Sequence, residues 1–230
     1  NKNLEVQAQA IFKSWFIDFE PLKNGEFVES ELGMIPKGWE VVKLGDKFNF
    51  VKGKVPKYTD KEQLNSYPYL TKTVLDGAWD EVKYGVDSSG VRCEPLDILM
   101  LMDGASSSQI FYGYDGLVGS TLSLIDTKDK NMREILYMYF HVFNNELKNQ
   151  NTGSAIPHAN KDYINNIRIA LPSDESYFKK SADFFMLIRI KILKNKKQNQ
   201  KLSQLRDTLL TKLMSGEIRI PLDEQLGGAL

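Results

Sequence analysis

The stretch YFKKSADFFMLIRIKILKNKKQNQKLSQLRDTLLTKLMS, Tyr177–Ser215, contains neither proline nor glycine, and its reading decides the fold class. Phe185, Ile188 and Ile192, then Leu202, Leu205, Leu209 and Leu213, recur at steps of three and four. That period puts them on one face of an α-helix turned toward a partner. Ser173 or Ser176 is placed to cap its start. At about 1.5 Å per residue such a helix extends roughly 55–60 Å, longer than a compact domain of this size needs. Asn195 and Asn199 sit where the apolar stripe should continue. A polar waist of this kind is either an exposed span between two packed ends or a register device. The expectation adopted is the second, an antiparallel coiled coil in which Asn195 and Asn199 meet polar partners at some cost in stability.

The start of the chain echoes this helix. A shift of 198 positions lays Leu202, Leu209, Leu210, Leu213 and Met214 on Leu4, Ile11, Phe12, Trp15 and Phe16. The pattern implies a tandem repeat of helix plus globular domain, in which the helices are spacers and docking sites rather than catalytic scaffolds. Residues 3–19 read as a helix ended by Pro21. The chain opens at Asn1, inside that pattern and without an initiator Met, so it reads as a piece or trimmed product of something longer.

Between the two helices the pattern changes. Residues 21–36 read as an acidic linker closed by Pro36 and Gly38. Short strand-like runs follow at Trp39–Leu44, Phe48–Val51, Tyr67–Thr71, Ile98–Met102, Ile110–Tyr114 and Leu117–Ile125, separated by Gly, Asp, Asn and Ser clusters. They predict a twisted, mostly antiparallel sheet. Asn131–Gln150 reads as a helix, and Ile167–Leu171 as a strand stopped by Pro172. The expected class is α+β: a helix end over 1–20, the linker, a globular domain over 37–175, the long helix over 176–216 and a tail over 217–230.

The 230 residues suit one domain with an appendage. The formal net charge is zero, so overall charge names no partner. Local charge says more. Residues 179–201 hold eight Lys/Arg against Asp183, and residues 43–61 hold six lysines against Asp46 and Asp60. Acids dominate 18–31. Such segregation fits a surface with one basic side. The lone Cys93 excludes an internal disulfide and favours a reducing, cytoplasmic setting. No apolar run reaches the roughly 18 residues that span a bilayer, so no membrane partner is expected.

Catalytic chemistry is thin. His141 lies among aromatics of a helix and reads as a packed residue; His158 reads as a loop-structuring one. One cysteine and two histidines do not make a usual structural zinc site. Asp97, followed by Glu146-Leu-Lys148, mimics the acid pattern of metal-dependent nucleases, but Glu146 falls on a predicted helix and plain solvated charges explain both. No glycine fingerprint for S-adenosylmethionine and no P-loop is present. Nucleic-acid features are better developed. Lys52-Gly-Lys54-Val-Pro-Lys57-Tyr58 puts three cations and an aromatic in one loop, which suits phosphate contact beside a base edge. Ser106, Ser107, Ser108 and Gln109 offer hydroxyls and an amide, and a glutamine such as Gln109 can pair bidentately with adenine, which would give roughly 1–3 kcal/mol of discrimination. Arg92 and Lys161 are phosphate candidates. Each lysine alone reads equally well as solvated surface; the set gains weight if loops of one sheet converge.

Two segments carry a family resemblance. Ala10-Ile-Phe-Lys-Ser-Trp-Phe-Ile-Asp-Phe-Glu-Pro21 with Ser30-Glu-Leu-Gly-Met-Ile-Pro-Lys-Gly-Trp-Glu-Val41 resembles the central conserved region of type I restriction-modification DNA specificity subunits. Leu205-Arg-Asp-Thr-Leu-Leu-Thr-Lys-Leu-Met-Ser-Gly-Glu217 resembles their distal conserved helix. Thr152-Gly-Ser-Ala-Ile-Pro-His-Ala-Asn-Lys161 resembles a landmark of their target recognition domain. The resemblance implies a non-catalytic reader of double-stranded DNA that takes one half of a split target. It implies methyltransferase (modification) subunits and restriction subunits as partners. Those partners, not this chain, would use S-adenosylmethionine, ATP and Mg. A homodimer, or a second half of the same subunit, would supply the other recognition domain. The alternatives are a stand-alone metal-dependent nuclease and a coiled-coil protein-interaction adaptor without DNA specificity.

Overall fold

A computed structural model describes residues 1–86, 90–153 and 155–218. The chain begins with α1 (Lys2–Phe16), followed by the hairpin strands β1 (Phe27–Ser30) and β2 (Gly33–Pro36), then β3 (Trp39–Lys43) and β4 (Asn49–Lys52). A run of short elements comes next: β5 (Tyr58–Thr59), β6 (Ser66–Leu70), α2 (Lys72–Leu75), β7 (Tyr84–Val86) and β8 (Arg92–Cys93). The remaining strands of the centre are β9 (Ile98–Leu101), β10 (Ile110–Phe111), β11 (Gly116–Val118) and β12 (Leu122–Asp126). Helices α3 (Lys130–Val142), α4 (Asn144–Asn149) and α5 (Lys161–Asn166) precede β13 (Arg168–Pro172), and α6 (Glu175–Met214) closes the described chain. The α+β class with a mostly antiparallel sheet and a long final helix is therefore observed. Among the described pairs only β6 and β11 run parallel.

The middle layer is the antiparallel sheet β10-β9-β12-β4. Strand β9 is buried along its whole length, and its side chains divide by the period of two. Ile98 and Met100 enter a core with Phe12, Ile135, Phe140 and Phe185. Leu99 and Leu101 face the other way, into a second core with Leu70, Val118, Leu122 and Cys93. One face thus carries the helices and the other the five-stranded sheet β5-β7-β6-β11-β8. A strand buried on both faces has to be continuously apolar, and Ile98-Leu-Met-Leu101 is. Burial pushes the Cys93 thiol up to about 12. A thiol held neutral in the fold stabilises it fully below the unfolded thiol's ordinary pKa, and that contribution is lost as pH rises toward 12. Cys93 is therefore expected to resist iodoacetamide at pH 8 in the folded chain and to react once denaturant is added. Equal labelling rates, followed by mass spectrometry, would contradict this packing.

Strands β3 and β13 pair from Trp39↔Pro172 to Lys43↔Arg168, so the chain enters and leaves the sheet region side by side. Contacts group Lys2–Arg189 into one compact unit, while Asn1 and the chain from Ile190 form another. In the first unit, the opening turns of α6 bury Ala182, Phe185 and Arg189. Arg189 donates from one guanidinium nitrogen to Glu134 Oε2 at 2.8 Å and from the other to the Leu96 carbonyl at 2.7 Å. Its guanidinium carbon lies 4.2 Å from the Tyr137 ring centre. Glu134 also accepts from Arg133 Nε at 3.2 Å. In the second unit, Leu202, Leu205, Leu209, Leu210 and Met214 are exposed along α6. Asn195 Nδ2 donates to Asn1 Oδ1 at 3.0 Å, and Asn199 is exposed.

Several local expectations are corrected. Helix α1 stops at Phe16, ahead of Pro21: the Ile17 and Asp18 amides both reach the Lys13 carbonyl, and Phe19 turns left-handed at φ 52°. That turn sets the Phe19 ring edge-on to Trp39, 5.1 Å between centres, which offsets a backbone cost of about 1–2 kcal/mol. The acidic linker contains the β1–β2 hairpin. The run Leu117–Ile125 is two strands belonging to different sheets, broken at Gly119–Thr121. The 131–150 helix breaks at Phe143. The cap of α6 is Asp174, whose Oδ1 accepts from the Ser176 and Tyr177 amides, rather than Ser173 or Ser176.

Candidate nucleic-acid interface

Strand directions decide which loops meet. In the order β10-β9-β12-β4 every neighbour is antiparallel, so β4 and β9 run the same way. Lys52, Ser123, Met100 and Ile110 form one row across the sheet. At roughly 4.8 Å per strand, β4 and β9 lie about 10 Å apart in that row. The Lys52–Tyr58 segment and the 103–109 loop therefore leave the same end of the sheet.

The first loop is built to keep its cations outside. Gly53 and Pro56 are buried, whereas Lys52, Lys54, Val55, Lys57 and Tyr58 are exposed. The Gly53 amide donates to the Leu122 carbonyl at 3.0 Å. A Cβ at Gly53 would collide with the carbonyl oxygens of Val118 and Gly119, so a glycine is required where the two sheets close on each other. Tyr58 then enters β5 and stacks on Tyr69 at 6.0 Å, with Lys83 Nζ 4.6 Å from its ring centre. Tyr58 and Tyr67 both lie opposite Gly85, while Arg92 and Tyr69 both lie opposite Leu117. One face of the five-stranded sheet thus carries an aromatic and cationic row: Lys83, Tyr58, Tyr69, Tyr67 and Arg92.

Arg92 is the least available of the predicted phosphate contacts. It is ion-paired with Asp115, its guanidinium covers the Tyr67 ring at 3.6 Å, and it donates to the Cys93 carbonyl at 2.8 Å. The serine loop requires a firmer correction. Ser107 and Ser108 are fully buried. The Ser107 hydroxyl is hydrogen-bonded to the Gly104 and Pro157 carbonyls. The Ser108 hydroxyl is bonded to Asn151 Oδ1 at 2.6 Å, and Asn144 Nδ2 donates to the Ser108 carbonyl at 2.6 Å. These two serines knit the 103–109 and 151–158 loops together and present no hydroxyl to an outside phosphate. Ser106 and Gln109 stay half-exposed on the same loop. His158 joins the knot, with Nδ1 2.8 Å from Asp103 Oδ1, and Ala159 N donates to the Met102 carbonyl. Two residues further on, Lys161 is exposed at the start of α5, its Nζ 5.4 Å from the Phe50 ring centre on β4. Lys52, Lys54, Lys57, Tyr58, Ser106, Gln109 and Lys161 are the predicted residues that the fold leaves accessible around this end.

Sequence reasoning gave the side chains of Tyr67, Tyr69 and Asp103 no contact role. The alternation Tyr67-Pro-Tyr69, with period two, was the signal for the first pair. The supposed nuclease acids are occupied elsewhere: Asp97 by Arg133 and the Glu94 amide, Glu146 by the Tyr163 hydroxyl at 2.6 Å. Among the described residues no group of three or more His, Cys, Asp or Glu side chains is placed to hold a metal ion, and no helix is long and apolar enough to cross a membrane.

Comparisons with known proteins bear on this geometry. Over 153 residues the chain is 34% identical to the type I restriction enzyme MjaVIII specificity subunit of Methanocaldococcus jannaschii, covering 65% of this chain and 36% of that protein. The MjaIX specificity subunit of the same organism is 29% identical, with 96% and 54% covered. The chain spans about half, or less, of the length of these relatives. The crystal structure of the type I restriction-modification system S subunit from M. genitalium superposes with a TM-score of 0.60 at 19% identity, covering 93% of this chain and 54% of that one, which is a likeness of fold. The family model for the type I restriction modification DNA specificity domain matches residues 36–204, most of the chain and the whole loop-bearing sheet region. The chain therefore belongs to the family of type I restriction modification DNA specificity domains, and the relatives it matches are named specificity subunits.

Proposed function

We propose that this chain reads one half of a split double-stranded DNA target within a type I restriction-modification complex. The observation that carries the reading is the gathering of Lys52, Lys54, Lys57 and Lys161 with Gln109 at one end of the β10-β9-β12-β4 sheet. Lysines at such a rim neutralise phosphates and set orientation, and a side-chain amide reads base edges in the major groove. The knot of Ser107, Ser108, Asn144 and Asn151 holds the loops in place before DNA arrives, so less ordering entropy is lost on binding.

In this reading methyltransferase subunits dock on the chain, restriction subunits join through them, and S-adenosylmethionine, ATP and Mg belong to those partners. A second copy, or the other half of a longer subunit, supplies the second reading domain. The setting is the cytoplasm. The deciding experiment reconstitutes the chain with the modification subunit of its own system and maps methylated adenines across a genome. A single split or palindromic motif is the expected result. Methylation scattered without a motif, or none above the modification subunit alone, would defeat the reading.

A further inference from the structure

We propose that the β1–β2 hairpin and the grooves beside it form a protein-docking surface whose occupant is a partner segment with apolar side chains flanked by Lys or Arg. The inference rests on the reading of this chain as one subunit of a complex. Four observations within the Lys2–Arg189 unit support it. First, the hairpin holds apolar side chains in solvent: Leu32 is 46% exposed at the turn and Met34 58% on the face it shares with Pro36, while Val28 lies on the opposite face. Grouped exposed apolar side chains of this kind mark contact surfaces. Second, the hairpin is firmly mounted. Lys37 pairs with Glu26 at 2.6 Å, Arg168 pairs with Glu31, and the Phe27 and Phe19 rings meet at 6.3 Å. Third, among the described residues β1 and β2 pair only with each other, so neither outer edge is covered by another strand. Natural proteins rarely leave such edges uncovered.

The fourth observation names the chemistry. A groove of about 440 Å³ runs past Leu22, Pro36, Trp39, Pro172 and Tyr177. Across Tyr177 lies a second groove of about 250 Å³, walled by Trp15, Pro21 and Lys180. Proline and aromatic walls of this kind take apolar side chains of a peptide segment. From Asp18 to Lys37 five acids stand against Lys23 and Lys37; Glu20, Glu26 and Glu31 are paired with Lys23, Lys37 and Arg168, so the net negative charge comes from Asp18 and Glu29. From 43 to 61 six lysines face two aspartates. DNA is repelled where acids dominate, and a basic protein segment is attracted there.

The test uses the full chain and the modification subunit of the same system as the probe. Leu32→Glu with Met34→Glu changes two solvent-facing positions, so the melting temperature should stay within a few degrees. Assembly without DNA, measured by calorimetry, is expected to weaken at least tenfold. Lys54→Ala with Lys57→Ala should leave assembly unchanged. If the double Glu variant melts early, Glu29→Lys replaces it, and the same direction of effect is expected because the partner segment is basic. Undiminished assembly of these variants overturns the docking proposal alone. If the wild-type chain is a dimer by sedimentation and the variant a monomer, the occupant is a second copy and the proposal is wrong in its partner. Failure of the wild-type chain to bind the modification subunit at all overturns the underlying reading together with the docking surface.

Discussion

Replacing Arg189 by methionine is expected to lower folding stability by about 3 kcal/mol, at the lower end of what breaking a buried ion pair costs. Both partners are nearly inaccessible, Arg189 at 1% and Glu134 at 1%. Methionine fills much of the volume, so the loss is electrostatic. The Glu134 carboxylate keeps Arg133 Nε at 3.2 Å but loses its closest cation, and the Leu96 carbonyl loses its donor. The contrast with Glu134→Leu/Arg189→Met is the informative part. With both charges gone no buried carboxylate is left without its cation, and only the Leu96 carbonyl still lacks its donor, so most of the lost stability should return. The midpoint of urea unfolding should fall in the single variant and recover in the double, at constant m. A single variant as stable as wild type would mean that the pair is solvated and that α6 is held to the sheet by apolar packing alone.

Lys54→Ala with Lys57→Ala is expected to weaken binding to every DNA sequence alike, by roughly 10- to 100-fold at moderate salt. The slope of log affinity against log salt should shrink by about 2, near 0.9 for each phosphate that is no longer neutralised. Neither side chain takes part in the packing, because the loop is anchored through Gly53 and Pro56. The melting temperature should therefore not move, and the ranking of DNA sequences by affinity should survive. Titrations of labelled duplexes by the reconstituted complex at four salt concentrations measure both quantities. An unchanged slope would mean that this loop touches no phosphate, whatever happened to affinity. A change of sequence ranking would make the loop a reader of bases instead.

Long periodic segments were legible in the sequence; short elements fixed by distant neighbours were not. Helix α6 showed itself through 40 residues without a breaker, and β9 through four apolar residues between turns. The two-residue strands β5, β8 and β10 carry too few side chains for any period. They exist because neighbours complete their hydrogen bonds. The run Leu117–Ile125 looked like one strand because nothing local reveals that Gly119 lies against the backbone of Leu70, where the chain passes from one sheet to the other. The basic loop was legible as composition, and its exposure agrees. The serine loop was misjudged for a physical reason: a hydroxyl bonds equally well to a phosphate or to a carbonyl. Only the positions of Pro157 and Asn151 show which of these Ser107 and Ser108 have found.

The excursion between β4 and β9 has a consequence for how such a protein changes. Residues 53–97 leave the four-stranded sheet from one neighbour of β12 and return to it at the other. All of β5 to β8, with the basic loop and the tyrosine row, lies inside that span. Its two ends, the last residue of β4 and the first of β9, are fixed about 10 Å apart across the sheet and about 7 Å apart along it by the register of β4, β12 and β9. A replacement segment needs only to span that gap, to keep a glycine at the crossing, and to lay apolar side chains over Leu99, Leu101 and Leu122. On the reading proposed above, new target preferences would be open to wholesale exchange of one cassette while β4, β9 and β12 stay unchanged.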